Sequence, residues 1–94
     1  MHSAIFAAVQ PTNPSQPWFE FVEGTNKNPK INQNAERLAP GVFLVNFRKS
    51  PAALGLLICA AETSAIAYRI LPLAEAPQWL PVGFDPKTIQ AQNG

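Results

Sequence analysis

The chain has 94 residues, of which 47% are hydrophobic and 14% are charged, with ten prolines and a formal net charge of +1. This length supports one domain with one hydrophobic core, and it is too short for two domains that each bury much of their surface. One cysteine and one histidine cannot form a structural zinc site, and they disfavour a nucleophile that depends on histidine as its base.

The cysteine content also bears on the compartment. Cys59 cannot form an intramolecular disulfide, and its apolar neighbours predict a buried, inert thiol. Residues 1–9 contain no Lys or Arg and are too short for the apolar region of a signal peptide. The uncharged run 52–61 is about half the roughly 20 residues that a membrane-spanning helix needs. We therefore expect a cytoplasmic protein that needs no cofactor and binds no membrane.

The first half of the chain predicts two strands and irregular connections. The stretches "SAIFAAVQ" (3–10) and "PWFEFVEG" (17–24) both have the composition of strands, and the second alternates Phe19 and Phe21 with other residues. A proline-rich loop connects them, and Phe19 is expected in the core. The basic, Asn-rich segment 25–34 predicts a long turn, followed by one helical turn in "NAERL" (34–38) with Asn34 as its cap.

The second half predicts a strand, a helix and a strand. Residues 41–49, "GVFLVNFRK", have apolar side chains on both faces, which is typical of an interior strand. Ser50 and Pro51 predict a helix start, with the serine as cap and the proline in the first turn. The helix has one apolar face, at the spacing i, i+3, i+4 and i+7, made of Leu54, Leu57, Ile58 and Ala61. From residue 65 the period changes to two, which predicts a strand that ends at Pro72.

These elements indicate an α+β fold, a small mixed sheet of about four strands with one βαβ unit and one principal helix. The two strands of the βαβ unit are expected to be neighbouring and parallel. The alternative is a mostly-β antiparallel meander, in which residues 54–62 form a strand paired with 65–73. In either case residues 1–94 are expected to form a single domain, with 85–94 as a frayed tail.

The preferred function is a non-enzymatic accessory module that binds another protein or a second copy of itself. The predicted helix is apolar around most of its circumference, more than one sheet face can cover, so a partner could cover the rest. Trp79 lies between prolines on a stiff arm, and tryptophan provides much contact area for little loss of entropy, so it either anchors an interface or folds back over its own domain. The candidate partner-binding residues are Trp79, Leu56 and Leu80.

The alternative function is binding of an anion or a nucleic acid. Residues 24–49 carry five cations and one anion, and a basic end of a strand beside a helix start could bind phosphate or carboxylate. The candidate anion-binding residues are Lys27, Lys30, Arg37, Arg48, Lys49 and Ser50. Catalysis is not expected, because the closest carboxylates on one element, Glu20 and Glu23, would lie on opposite faces of the predicted strand.

Overall fold

A computed structural model describes residues 2–80, which form four strands and three helices. In chain order the elements are β1 (Ser3–Ala8), α1 (Gln16–Lys27), α2 (Pro29–Asn34), β2 (Ala35–Ala39), β3 (Val42–Asn46), α3 (Ala52–Thr63) and β4 (Tyr68–Leu73). The predicted α+β class is confirmed. The tail 85–94, which was predicted to fray, lies outside the described residues.

The four strands form one sheet in the order β2-β3-β1-β4, and every neighbouring pair is antiparallel. Both β3 and β4 are antiparallel to β1, so they run in the same direction, but β1 lies between them. The βαβ unit is therefore split, and the prediction of a mixed sheet with β3 and β4 as neighbours is wrong. The strand order is that of the split β-α-β, or ferredoxin-like, arrangement, with α2 as an additional helix between β1 and β2.

Helix α1 replaces the predicted second strand. Trp18, Phe21 and Thr25 are buried and lie at the spacing i, i+3 and i+7, so one side of a helix faces the core. Pro17 lies in the first turn, where its missing N–H removes no intrahelical bond. Phe19 was expected in the core, but its side chain is 55% exposed. The strand prediction is wrong because the aromatic residues fit a helical period as well as a two-residue period.

Helix α2 and strand β2 occupy the segment that was predicted to be a long turn and a helical turn. The Asn28 side chain accepts hydrogen bonds from the backbone N–H groups of Lys30 at 2.9 Å and Ile31 at 3.3 Å. With Pro29 in the first turn, Asn28 therefore begins a helix. Residues 35–39 are extended and pair with β3, which overturns the predicted helical turn.

Helix α3 confirms the predicted helix and excludes the alternative meander. Leu57 and Ala61 of the predicted apolar face are fully buried, together with Ala53. The helix begins one residue later than predicted, and Ser50 makes no side-chain capping bond to it. Cys59 lies on the outer side of the helix and is exposed, so the prediction of a buried thiol is wrong. No helix within residues 2–80 is long and apolar enough to cross a membrane.

The hydrophobic core lies between one face of the sheet and the three helices. It is a single cluster made of Phe6, Trp18, Phe21, Ile31, Phe43, Val45, Ala53, Leu57, Ala61 and Ile66. Phe6, at the centre of β1, has its ring centroid 5.3 Å from that of Tyr68 and 6.4 Å from that of Phe21. The one buried hydroxyl on α1 belongs to Thr25 and donates to backbone carbonyls of the preceding turn, at 3.0 Å.

Candidate interaction surface

The sheet has a second face that lies away from the helices. Along β3, Phe43 and Val45 belong to the core cluster, so the residues between them point to the opposite side of the sheet. The strand register extends this alternation to the neighbouring strands. We call this surface the open face. Its residues are Ser3, Ile5, Ala7, Glu36, Ala39, Val42, Leu44, Asn46, Arg69, Leu71 and Leu73, of which Ser3 is buried.

Apolar side chains occupy the middle of the open face. Leu44, Ile5 and Leu71 are direct cross-strand neighbours on β3, β1 and β4, and they form one continuous row. Ile5 and Leu44 are half-buried, whereas the side chain of Leu71 is 57% exposed. None of the three belongs to the core cluster or packs against it. A continuous apolar patch of this kind is typical of a surface that binds a partner.

The strands place two charged residues on the open face, at its opposite edges, and Lys49 lines a cleft beside Glu36 and Leu44. Glu36 on β2 is the cross-strand partner of Leu44, and Arg69 on β4 is the partner of Ala7. Both side chains are exposed. Within residues 2–80 the only ion pair joins two residues of α1, so neither charge has an oppositely charged partner in the described part of the chain.

The edges of the sheet are poorly suited to pairing with an additional strand. Val9 donates its backbone N–H to the Ala67 carbonyl at 2.7 Å, and the antiparallel alternation then turns the backbone groups of Pro72 outward. Proline has no N–H to offer at that position. On the other edge, β2 has an irregularity between Arg37 and Ala39. Both features discourage strand addition, so the open face is the better surface for a partner.

The predicted partner-binding residues lie in two places. Trp79 and Leu80 are on the segment after β4, and their side chains are 68% and 57% exposed. Leu56 is on α3, where it is half-buried and packs against the core cluster. Helices α1 and α2 both contact α3, so they cover part of the surface that the sequence left for a partner. Between residues 48 and 80, the large exposed apolar side chains are on β4 and on the segment that follows it.

The predicted anion-binding residues are dispersed rather than clustered. Lys27 ends α1 and pairs with Glu23, and Lys30 is exposed on α2. Arg37 is exposed on the edge strand β2.

The turn after β3 also fails to bring its cations together. Lys49 lines a cleft with Asn46 and Glu36, whereas Arg48 lines a different cleft with His2 and Glu75. Ser50 makes no capping bond to α3. The structure therefore does not assemble the predicted pocket from Arg48, Lys49 and Ser50.

The carboxylates of α1 differ from their predicted placement. In a helix, Glu20 and Glu23 lie three residues apart on the same side rather than on opposite faces. Glu20 accepts a hydrogen bond from Gln16 at 3.1 Å, and Glu23 accepts one from Lys27, which lowers the pKa of Glu23. Within residues 2–80, no three His, Cys, Asp or Glu side chains are grouped so that they could hold a metal ion.

Tyr68 gives a testable pH dependence at the junction of α3 and β4. Its hydroxyl donates to Glu62 at 3.1 Å, and burial, followed by the hydrogen bond and charge of Glu62, raises the pKa of Tyr68 above its ordinary value of 10.0. Because Tyr68 is the only tyrosine of the chain, the absorbance of tyrosinate measures the ionisation of this hydroxyl. We expect a titration midpoint above 10.0 in the wild type, and a smaller rise in Glu62→Gln, which loses the charge but keeps the burial.

The sign of the linked stability change follows from the same pKa. The folded state holds the Tyr68 proton more tightly than the unfolded state, so stability from this group is present at neutral pH and is lost as the pH rises through the raised pKa. A wild-type midpoint at or below 10.0 would contradict the described contact between Tyr68 and Glu62.

The open face was only partly predictable from the sequence. The apolar residues on both faces of β3 indicated that each face needs cover, but not which one the helices would leave open. The charged residues at the two edges could not be related to each other before the strand register was known.

A scan against protein-family models, a search of the curated proteins and a search of the solved structures found no match to this chain.

Proposed function

We propose that this chain is a non-enzymatic protein-interaction module that binds its partner through the open face. The observation that carries the proposal is the row of Leu44, Ile5 and Leu71, which lies outside the core cluster on the other face of the sheet. Fully burying a leucine or isoleucine side chain contributes about 1.5–3 kcal/mol relative to leaving it exposed. A partner that covers the row would therefore gain part of this energy from each of the three residues.

The packing of the helices supports a sheet surface rather than a helix surface. On the core side of α3, Ala53, Leu57 and Ala61 are buried. The half-buried leucines of this helix pack against the same core cluster. On the open face, by contrast, Leu71 of β4 is 57% exposed. Leu71 is therefore a large apolar side chain that the described helices leave mostly exposed.

Trp79 and Leu80 add a second apolar element to the proposed surface. They follow β4 in the chain, and both side chains remain mostly exposed within the described structure. A tryptophan on a segment with few regular hydrogen bonds can move to cover the edge of a bound partner, where aromatic residues contribute strongly. We assign Trp79 a supporting contact and the open face the principal one.

The residue inventory supports the non-enzymatic part of the proposal and a reducing compartment. The only histidine is His2, next to the chain start, and the carboxylates of α1 already have hydrogen-bonding partners. A single exposed cysteine, Cys59, suits the cytoplasm, where thiols remain reduced.

Site-specific photo-crosslinking in cells that express the full chain tests the proposal. A photoreactive amino acid is incorporated at Leu71, on the open face, or at Phe19, on the outer side of α1. The two positions are matched controls because their side chains are 57% and 55% exposed. We expect irradiation to produce a crosslinked species of higher mass from position 71 and little or none from position 19.

Two results would refute the proposed function. One is the absence of any intermolecular product from position 71, and the other is equal yields from both positions. The assay detects any protein partner, including another copy of this chain, so it does not presuppose the identity of the partner.

A further inference from the structure

We propose that the partner on the open face is a second copy of this chain, packed face to face about a two-fold axis parallel to the strands. This inference rests on the proposed function, because it assumes that the open face is the binding surface. The charges at the two edges of that face are complementary, and this favours a second copy as the partner. Two-fold dimers are the commonest oligomers of soluble proteins, and each copy then uses the same patch.

The strand order determines which residues meet in such a dimer. Rotation about an axis parallel to the strands exchanges the two edges of the sheet, so β2 of one copy lies over β4 of the other, and β3 lies over β1. Only the two middle strands then bring apolar residues of the row together, because Leu71 of each copy lies opposite Glu36 of the other. Leu44 of one copy faces Ile5 of the second copy, and the contact occurs twice by symmetry.

The same rotation brings the two charges of the face together. Glu36 on β2 comes to lie over β4 of the second copy, where the residue at the same level is Leu71 and the next open-face residue is Arg69. Arg69 is two residues along the strand from Leu71, an offset of about 7 Å. Stacked sheets are about 10 Å apart, which two long side chains can span at the rim of the interface. The dimer therefore contains two Glu36–Arg69 contacts.

The other face-to-face arrangement lacks this complementarity. With the two-fold axis perpendicular to the strands, each strand lies over its own copy, so Glu36 approaches Glu36 and Arg69 approaches Arg69. Like charges across an interface suppress a mode of association, whereas opposite charges favour it and fix its orientation. An acid at one edge and a base at the other, with an uncharged middle, are what a self-complementary face requires when the axis follows the strands.

Charge reversal tests this arrangement in the full chain. Sedimentation velocity over a range of concentrations gives the dimer Kd for the wild type, Glu36→Arg, Arg69→Glu and the double variant. Each single reversal replaces two attractive contacts by two repulsive ones, so we expect the Kd to rise about tenfold. The double variant restores opposite charges and should return close to the wild-type Kd.

Mixing the two single variants provides the sharpest control. In a heterodimer of Glu36→Arg with Arg69→Glu, both rim contacts again join opposite charges, so the mixture should associate about as tightly as the wild type while each variant alone does not. Reversal of Lys27 to Glu, on α1 and away from the open face, should leave the Kd unchanged. An unchanged Kd in this variant would show that the effect of Arg69→Glu comes from the local contact and not from the change in net charge.

Three results would overturn the inference. A wild-type chain that stays monomeric at all concentrations would show that a second copy does not occupy the face. A dimer whose Kd is the same in the wild type and in both single charge-reversal variants would exclude the proposed contacts. If a mixture of Glu36→Arg with the wild type dimerised as tightly as the wild type alone, the two-fold axis would be perpendicular to the strands. If crosslinking from Leu71 still gave a product with a different protein, the proposed function would survive and only this inference would fail.

Discussion

Replacement of Phe6 by alanine is expected to lower the free energy of unfolding by about 3–5 kcal/mol. Phe6 is fully buried at the centre of β1, where its ring lies beside those of Tyr68 and Phe21. Truncation removes the apolar area of the ring and leaves a cavity between the sheet and α1. Since domains of this size have total stabilities of about 5–15 kcal/mol, the loss is a large fraction of the whole.

Equilibrium unfolding in urea, followed by far-ultraviolet circular dichroism, measures this change. All variants are compared at one protein concentration, because self-association would make the apparent stability depend on concentration. Phe19→Ala is the matched control, since it removes the same ring from a position that is 55% exposed and outside the core cluster. We expect a change within about 0.5 kcal/mol for the control. Similar losses in both variants would contradict the described placement of the two rings.

The sequence was most informative where several local signals agreed. For α3, the Ser-Pro start, the richness in alanine and the spacing of Leu57 and Ala61 all favoured a helix, and residues 52–63 are helical. The change of period after residue 65 likewise predicted β4, which ends at Leu73, one residue after Pro72. Ser50 does not cap the helix, so the agreement of alanine propensity with periodicity is what makes this prediction dependable.

The failures have local physical causes. In α1 the aromatic residues satisfy both periods, and the proline in the first turn is the signal that favours the helix. For α2, Asn28 followed by Pro29 is a cap and first-turn pair that indicates a helix start. Cys59 has apolar neighbours in sequence, but helical geometry turns it to the opposite side from Leu57. Neighbours in sequence do not decide burial on a helix.

The candidate interaction surface depends on long-range pairing, which the sequence could not provide. The insertion of β1 between β3 and β4 places Ile5 between Leu44 and Leu71, and only this order makes the apolar row continuous. It also separates Glu36 and Arg69 to opposite edges. A βαβ pattern in the sequence does not say whether a strand from elsewhere in the chain occupies the gap between its two strands.

Replacement of Gly41 by alanine is expected to lower the free energy of unfolding by about 2–5 kcal/mol, the sum of two effects. Gly41 follows Pro40 in the turn between β2 and β3 and has φ of 77°, in the left-handed region, which costs other residues about 1–2 kcal/mol. An added Cβ would also lie 3.1 Å from both the Ala8 Cβ and the Trp18 Cη2 atoms. Overpacking of this kind costs about 1–3 kcal/mol more.

Replacement of Gly55 by alanine should change the free energy of unfolding in the opposite direction, which makes it a matched control. Gly55 is exposed in the middle of α3, and an added Cβ there would meet nothing within 4 Å. Alanine in a helix interior is more stable than glycine by about 0.5–1 kcal/mol, so Gly55→Ala should raise the free energy of unfolding by that amount. The same urea unfolding experiment measures both variants. If Gly41→Ala were neutral, the hairpin could not have its described turn, and the contact of that turn with Trp18 on α1 would be wrong.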